Sequence, residues 1–147
     1  MKENDPVTQP KSILIEGSKL IQRFLEPRGF QFQFREEGTG SGGAFAWGDF
    51  VRGDRKLELH FRYSLGMVRY QIDGQSAAHE RYMRELGVWE QCRYPGFSQD
   101  PLAAFRDLAH DLEYADDFSS GSGEVLRRAA GREAAQFLKA KHPASTE

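Results

Sequence analysis

The sequence has little cysteine and no long apolar run, and both shortages limit what the chain can be. Cys92 is the one cysteine among 147 residues, so no intramolecular disulfide can form, as is usual in a reducing compartment. No apolar stretch approaches the roughly 18–20 residues of a membrane-spanning helix, and the polar segment Met1 to Pro10 lacks the apolar centre of a signal peptide. The sequence therefore predicts a cytoplasmic protein with no membrane partner.

An excess of charge of one sign is also missing. The formal net charge is −2 and the isoelectric point is about 6.1, which argues against nucleic acid as a partner, because nucleic-acid binders carry strongly basic surfaces. Aromatic residues make up 12% of the chain, with eleven phenylalanines, and they suffice for an ordered core. The length fits one domain, which we expect at residues 12–141 between loose ends at 1–11 and 142–147.

The apolar residues repeat first with a helical period and then with the period of a strand. A helical stripe runs from about Ser12 to Pro27, and alternation begins with Phe30, Phe32 and Phe34. The predicted strands cover 30–35, 44–52, 57–63 and 68–73, and the later predicted helices cover 76–86, 101–115 and 123–140.

Short connections between the predicted strands require antiparallel neighbours. Each strand has one apolar and one polar face, so helices should cover one side only. Glycines at 38–43 predict a flexible hairpin loop, Gly48 suggests a bulge, and Asp100 and Pro101 suggest a helix N-cap and first turn. The predicted fold class is α+β: a two-layer sandwich in the order αββββααα, with a four-stranded antiparallel meander.

Three features of the sequence suggest familiar motifs, but each lacks the structural context or the partner residue that its chemistry requires. The glycines at 38–43 fit G-x-G-x-x-G, but a strand follows where a dinucleotide site needs a helix. His79 and Glu80 begin a helical zinc signature that fails because Met83 stands where the second histidine belongs. Cys92 has no nearby cysteine as a partner. We therefore expect no cofactor and no metal.

One set of residues suggests an enzyme as the alternative. Asp49 on one predicted strand and Glu58-x-His60 on the next are similar to the metal-binding pattern of PD-(D/E)xK nucleases. The resemblance implies a metal-dependent phosphodiesterase in which two carboxylates hold Mg²⁺. His60 stands where that pattern has lysine, and the mildly acidic chain is poorly suited to a polyanion. Solvated polar strand positions explain the same residues.

The polar face of the sheet is the main candidate binding surface. The alternation places Gln31, Gln33, Arg35, Glu58, His60, Arg62, Arg69 and Gln71 on it. Arginine is favoured at interfaces because its planar group pairs with carboxylates. The leading hypothesis is a non-enzymatic protein-binding module in which Arg35, His60, Arg62 and Arg69 contact the partner. An ordinary solvated face is the competing hypothesis, and free edge strands leave a dimer open.

A second candidate is the aromatic segment 88–97. Trp89 and Tyr94 are candidate binding residues there, and Phe97 follows them. Aromatic residues in such a loop either close the edge of the core, which we favour, or form an exposed anchor. A third functional hypothesis is a small-ligand pocket between the sheet and this loop.

Several sequence runs resemble a family of small bacterial proteins, a domain of unknown function. They are GTGSGGAFAWGDFVRGDRKLELHFR from Gly38 to Arg62, then HERYMRELGVW and RYPGF. The resemblance covers about residues 12–118 and implies a standalone bacterial cytoplasmic protein, with no activity attached. The opening plan, a helix ending in PRGF before a meander, is similar to immunity-type proteins of bacterial toxin systems.

Overall fold

A computed structural model of the chain describes residues 9–141, with side chains over residues 9–139. The helices are α1 (Pro10–Leu25), α2 (His79–Leu86), α3 (Ala103–Asp111), α4 (Asp116–Ser119) and α5 (Glu124–Lys141). The strands are β1 (Gln31–Gly40), β2 (Gly43–Arg52), β3 (Arg55–Phe61), β4 (Leu65–Ile72) and β5 (Gln75–Ala78). Short 3-10 turns lie at Glu26–Arg28, Trp89–Gln91 and Leu112–Tyr114.

The strands form one open antiparallel sheet in the order β1-β2-β3-β4-β5. Each strand pairs with its sequence neighbour, as tight connections require. The predicted α+β class with an antiparallel sheet is confirmed. The predicted strand number is wrong, because residues 75–78 pair with β4 as a fifth strand before α2 begins at His79.

The core lies between one sheet face, the inner face, and the helices. Leu57, Leu59 and Phe61 of β3 are buried on the inner face, whereas the residues between them are only half-buried. Phe105 of α3 stacks on Phe61 with ring centroids 6.0 Å apart. Phe118 of α4 meets the edge of a β4 tyrosine ring at 5.2 Å. Aromatic contacts therefore join the two layers, while the outer face carries the polar residues.

The first hairpin differs from the prediction in two ways. The expected loop at 38–43 is mostly strand, because β1 continues to Gly40 and β2 begins at Gly43. The predicted bulge is present opposite Gly48, but the extra residue is Arg35 of β1, between Phe34 and Glu36. An extra residue reverses the alternation of a strand, so Glu36 joins the outer face.

The helical region is more divided than its apolar stripes predict. The helix expected at 101–115 is shorter, because α3 begins at Ala103 and is followed by the 3-10 turn and α4. The Asp100 carboxylate accepts a hydrogen bond from the Leu102 amide at 3.0 Å. This bond caps the turn that comes just before α3. The first helix begins two residues before the expected start at 12, whereas the termini at 1–8 and 142–147, including His142, lie outside the described residues.

The α5 N-terminus is capped from a distance by Asp117 of α4. Its carboxylate accepts the amides of Val125 and Leu126 at 3.2 and 2.9 Å, and the Tyr82 hydroxyl at 2.8 Å. One carboxylate therefore satisfies free donors of α5 and joins α2, α4 and α5. The described residues contain no helix with the length and apolar character to span a bilayer.

Gly17 is the point of closest approach between α1 and α3. A Cβ at Gly17 would lie 2.4 Å from atoms of the Phe105 ring. We expect Gly17→Ala to lower the free energy of unfolding by about 1–3 kcal/mol, because overpacking outweighs the better helix propensity of alanine. Urea denaturation followed by circular dichroism measures the change.

Gly131 in α5 provides the matched control, because a Cβ there meets nothing within 4 Å. We expect Gly131→Ala to raise the free energy of unfolding by about 0.5–1 kcal/mol. If Gly17→Ala raised stability as Gly131→Ala does, the close approach at Gly17 would be refuted.

Candidate functional site

The outer face of the sheet carries its polar residues in rows across the strands. Gln33, Asp49, Glu58 and Arg69 are consecutive partners from β1 to β4. The next row toward the first hairpin contains Trp47 of β2 opposite His60 of β3. The register therefore brings the predicted binding residues His60 and Arg69 and both candidate metal-binding carboxylates onto one face.

The Asp49 carboxylate forms an ion pair with Arg35. The Arg35 Nε donates to Asp49 Oδ1 at 2.9 Å, and Asp49 is only 2% exposed. A buried charge is tolerated when it is paired and hydrogen-bonded. The bulge places Arg35 where it covers Asp49, so this pair is part of the sheet structure.

The structure does not bring Asp49, Glu58 and His60 together as metal ligands. His60 Nε2 lies 3.9 Å from Glu58 Oε2, and the neighbouring His60 side chain is the main cause that lowers the pKa of Glu58. Among the described residues, these three side chains do not all place their ligand atoms within 4.8 Å of one another. Because Asp49 is also bound by Arg35, the geometry gives the phosphodiesterase hypothesis no support.

Arg69 connects the sheet to α5. Its Nη2 lies 2.5 Å from Glu133 Oε2 and donates to the Ser76 hydroxyl at 3.1 Å. The other Glu133 oxygen accepts the Ala78 amide of β5 at 2.9 Å. Arg69 is therefore engaged within the domain, and Glu133 satisfies a backbone donor of the edge strand.

Arg62 lies over the first hairpin. Its Nη1 donates to the Gly43 carbonyl at 3.2 Å, and the guanidinium carbon lies 5.5 Å from the Phe45 ring centroid. A Cβ at Gly42 would lie 2.1 Å from Arg62 Nη1, so glycine makes room for this side chain. The contact is a cation–π arrangement supported by a hydrogen bond.

An aromatic groove, which we call the outer groove, lies beside these charged residues. Trp47 and His60 stack with ring planes 1° apart and centroids 5.0 Å apart. Tyr63 and Met67 are 79% and 44% exposed. The volume of the groove is about 510 Å³, and its principal lining side chains are Phe45, Trp47, His60, Arg62, Tyr63 and Met67.

The predicted binding residues Trp89 and Tyr94 lie at the edge of the core. Trp89 is half-buried beneath Arg84, whose guanidinium carbon is 5.3 Å from its ring centroid. Tyr94 is 6% exposed, and its hydroxyl donates to the Leu65 carbonyl. Phe97 is the fully exposed aromatic residue of the segment.

A buried hydrogen-bond network joins β4 to α2 and α3. His79 Nε2 lies 3.0 Å from Asp111 Oδ2, and His79 Nδ1 lies 2.8 Å from the Tyr70 hydroxyl. An ionised carboxylate only accepts, so Nε2 carries the proton. Burial raises the pKa of Tyr70 far above its ordinary value, so Tyr70 keeps its proton and its hydroxyl shares a hydrogen bond with Nδ1. The network thus engages both ring nitrogens of His79.

Asp111 also accepts three donors besides His79. They are the Arg93 amide at 2.7 Å, the Tyr94 amide at 2.9 Å and His110 Nδ1 at 2.8 Å. Its carboxylate is fully buried. Four hydrogen bonds therefore offset the cost of burying this charge.

Cys92 lies beside this network and completes a group that resembles either a catalytic triad or a metal site. His79, Cys92 and Asp111 have ligand atoms within 4.8 Å of one another. Burial and the Asp111 charge raise the pKa of the Cys92 thiol to about 12, so it stays protonated at neutral pH. His79 has no free nitrogen to act as a base or ligand. The hydrogen bonds therefore define a structural network.

Neither the outer groove nor the buried network is evident from the sequence. The alternation could have placed Phe45 and Trp47 on the outer face, but the irregularity around Gly48 obscured it. His79 and Asp111 are 32 positions apart and share no motif, so only the tertiary fold brings them together.

Comparisons with protein-family models, curated protein sequences and solved structures found no match to this chain. The similarity to small bacterial and immunity-type proteins therefore stays a prediction.

The network predicts a large effect of Asp111→Asn. An asparagine offers one acceptor oxygen and places an NH₂ group against donors, which leaves buried groups unpaired. We expect the free energy of unfolding at pH 7 to fall by about 2–4 kcal/mol. The variant Glu113→Gln removes an exposed carboxylate two residues away and should change stability by less than about 0.5 kcal/mol.

The same network predicts a direction for the pH dependence. Burial would raise the pKa of Asp111, but hydrogen bonds from His79, His110 and two amides hold it below its ordinary value. Its stabilisation is therefore complete above the unfolded pKa of about 3.9 and is lost as the pH falls through the folded pKa. In urea titrations, the difference between wild type and Asp111→Asn should shrink below about pH 4. A constant difference would contradict this assignment.

Proposed function

We propose that the protein is a non-enzymatic binding module that receives an apolar side chain of a partner protein in the outer groove. One observation carries the proposal: exposed aromatic and thioether side chains line a cavity on the sheet face that the helices leave uncovered. Apolar pockets with a few polar groups are typical of binding sites.

The chemistry of the groove favours a protein partner. Tryptophan, tyrosine, arginine and methionine are enriched at protein interfaces, and the first three dominate their energetics. The groove contains Trp47, Arg62, Tyr63 and Met67. Besides the cationic Arg62, Glu36 and Glu58 contact the groove residues Trp47 and His60, and this mixed charge is poorly suited to a polyanion.

The charged residues of the outer face have a supporting role in this proposal. Arg35 and Arg69 are held by Asp49 and Glu133, so a partner would have to break these pairs to use their charge. His60 and Arg62 lie against Trp47 and Phe45 and can hold the aromatic rings in place for a ligand. An immunity or adaptor role in the cytoplasm is consistent with such a module and stays a proposal.

The proposal predicts that Tyr63→Ser weakens partner binding by about tenfold or more, because truncating a central aromatic anchor typically costs about 2 kcal/mol. A photo-crosslinking amino acid at Met67 would capture the partner in lysate of the source organism, and mass spectrometry would identify it. Isothermal titration calorimetry with the purified partner would then give the affinities of wild type and variant.

Phe97→Ser is the matched control, because Phe97 is fully exposed but does not line the groove. We expect it to bind with the wild-type affinity. A crosslinker at Gln33, on the outer face away from the groove, should capture less of the same partner. The proposal fails if Tyr63→Ser binds as tightly as wild type, or if Phe97→Ser loses as much affinity.

A further inference from the structure

A second cavity, which we call the inner cleft, opens on the other side of the turn between β3 and β4. Its walls are formed by residues 61–65, by residues 94–96 and 98–101, and by part of α3, with Ile13 of α1 beside them. Its volume is about 450 Å³, within the usual range of roughly 300–1,000 Å³ for small-molecule sites. Phe61, Arg62, Tyr63 and Ser64 separate it from the outer groove.

Asp107 of α3 provides an unpaired carboxylate in the inner cleft. It is half-buried, and no hydrogen bond or ion pair engages it within the described part of the chain. A Cβ at Gly96 would lie 2.6 Å from Asp107 Oδ2, so this glycine leaves the room that the carboxylate occupies. Asp100 differs, because Arg106 and the Leu102 amide hold its carboxylate.

The nearest cation of the lining does not neutralise Asp107. The Arg62 guanidinium is directed to the first hairpin, where it donates to the Gly43 carbonyl and lies over Phe45. The lining near the turn includes Ser64 and the apolar or aromatic residues Phe61, Leu65 and Tyr94. The inner cleft thus combines one free negative charge with an apolar wall.

We propose that the inner cleft binds an organic cation, namely an ammonium or guanidinium group on an apolar body. The cationic group pairs with the Asp107 carboxylate in a charge-assisted hydrogen bond. The apolar body packs against Leu65 and the Tyr94 ring, which also attracts a cation through its π face. Because a half-buried anion loses hydration when the cleft fills, a neutral ligand of the same shape binds less well.

Benzylammonium is the probe for this site, and benzyl alcohol is its neutral counterpart. In ¹H–¹⁵N NMR titrations of the full chain, benzylammonium should cause saturable shifts of the Ser64, Gly96 and Asp107 amide signals. We expect the affinity for benzyl alcohol to be at least about tenfold lower than that for benzylammonium. We expect Asp107→Asn to reduce the affinity for benzylammonium by about tenfold.

Two variants separate this site from other effects. Glu113→Gln removes the same amount of charge outside the cleft and should keep the affinity for benzylammonium. Trp47→Ala alters the outer groove and should also keep it, so the inner cleft and the proposed protein-binding site can fail independently. The inference is overturned if no saturable shifts occur, if benzyl alcohol binds equally well, or if Asp107→Asn retains full affinity.

Discussion

The buried carboxylate of Asp111 is the interaction on which the arrangement of helices and sheet most depends. It fixes His79 at the start of α2, His110 on α3 and the backbone at Arg93 and Tyr94. Through His79 the same network reaches Tyr70 in β4. An ion in the interior is stable only while its hydrogen bonds are complete, so these elements keep their positions together.

This constraint extends to the surface. The segment that Asp111 holds contains Tyr94, whose hydroxyl reaches the Leu65 carbonyl at the start of β4, and both residues line the inner cleft. The cleft therefore has walls fixed by buried polar contacts. Aromatic packing and the Arg62 contacts similarly support the outer groove. Such support holds a binding site in shape before its ligand arrives.

The period of the apolar residues was enough to predict the class of fold. Alternation in β3 and β4 is regular, and Leu57, Leu59 and Phe61 face the core as expected. The fifth strand was missed because Gln75–Ala78 is short, carries no alternating apolar pattern and is defined by its pairing with β4. Strand propensity is weak evidence when pairing decides the outcome.

The sites were harder to predict than the fold, and the reason is physical. Sequence alternation correctly placed Arg35 and Arg69 on the outer face, but it could not show that Asp49 and Glu133 hold them. The alternation also did not distinguish Asp107 from other acidic residues, because only its surroundings in the folded chain show that its carboxylate is unpaired. Long-range contacts determine which polar side chains remain available, and no local pattern records them.

The contact between Glu133 and the Ala78 amide has a consequence for self-assembly. Helix α5 packs along β5, whereas β1, at the opposite end of the sheet order, pairs on one side only within residues 9–141. Growth of a fibril by strand addition requires a free edge at both ends of every unit. A molecule that offers one such edge can join a second copy across a two-fold axis, and the addition then stops. Within residues 9–141, strand addition through β1 alone would therefore give a closed pair.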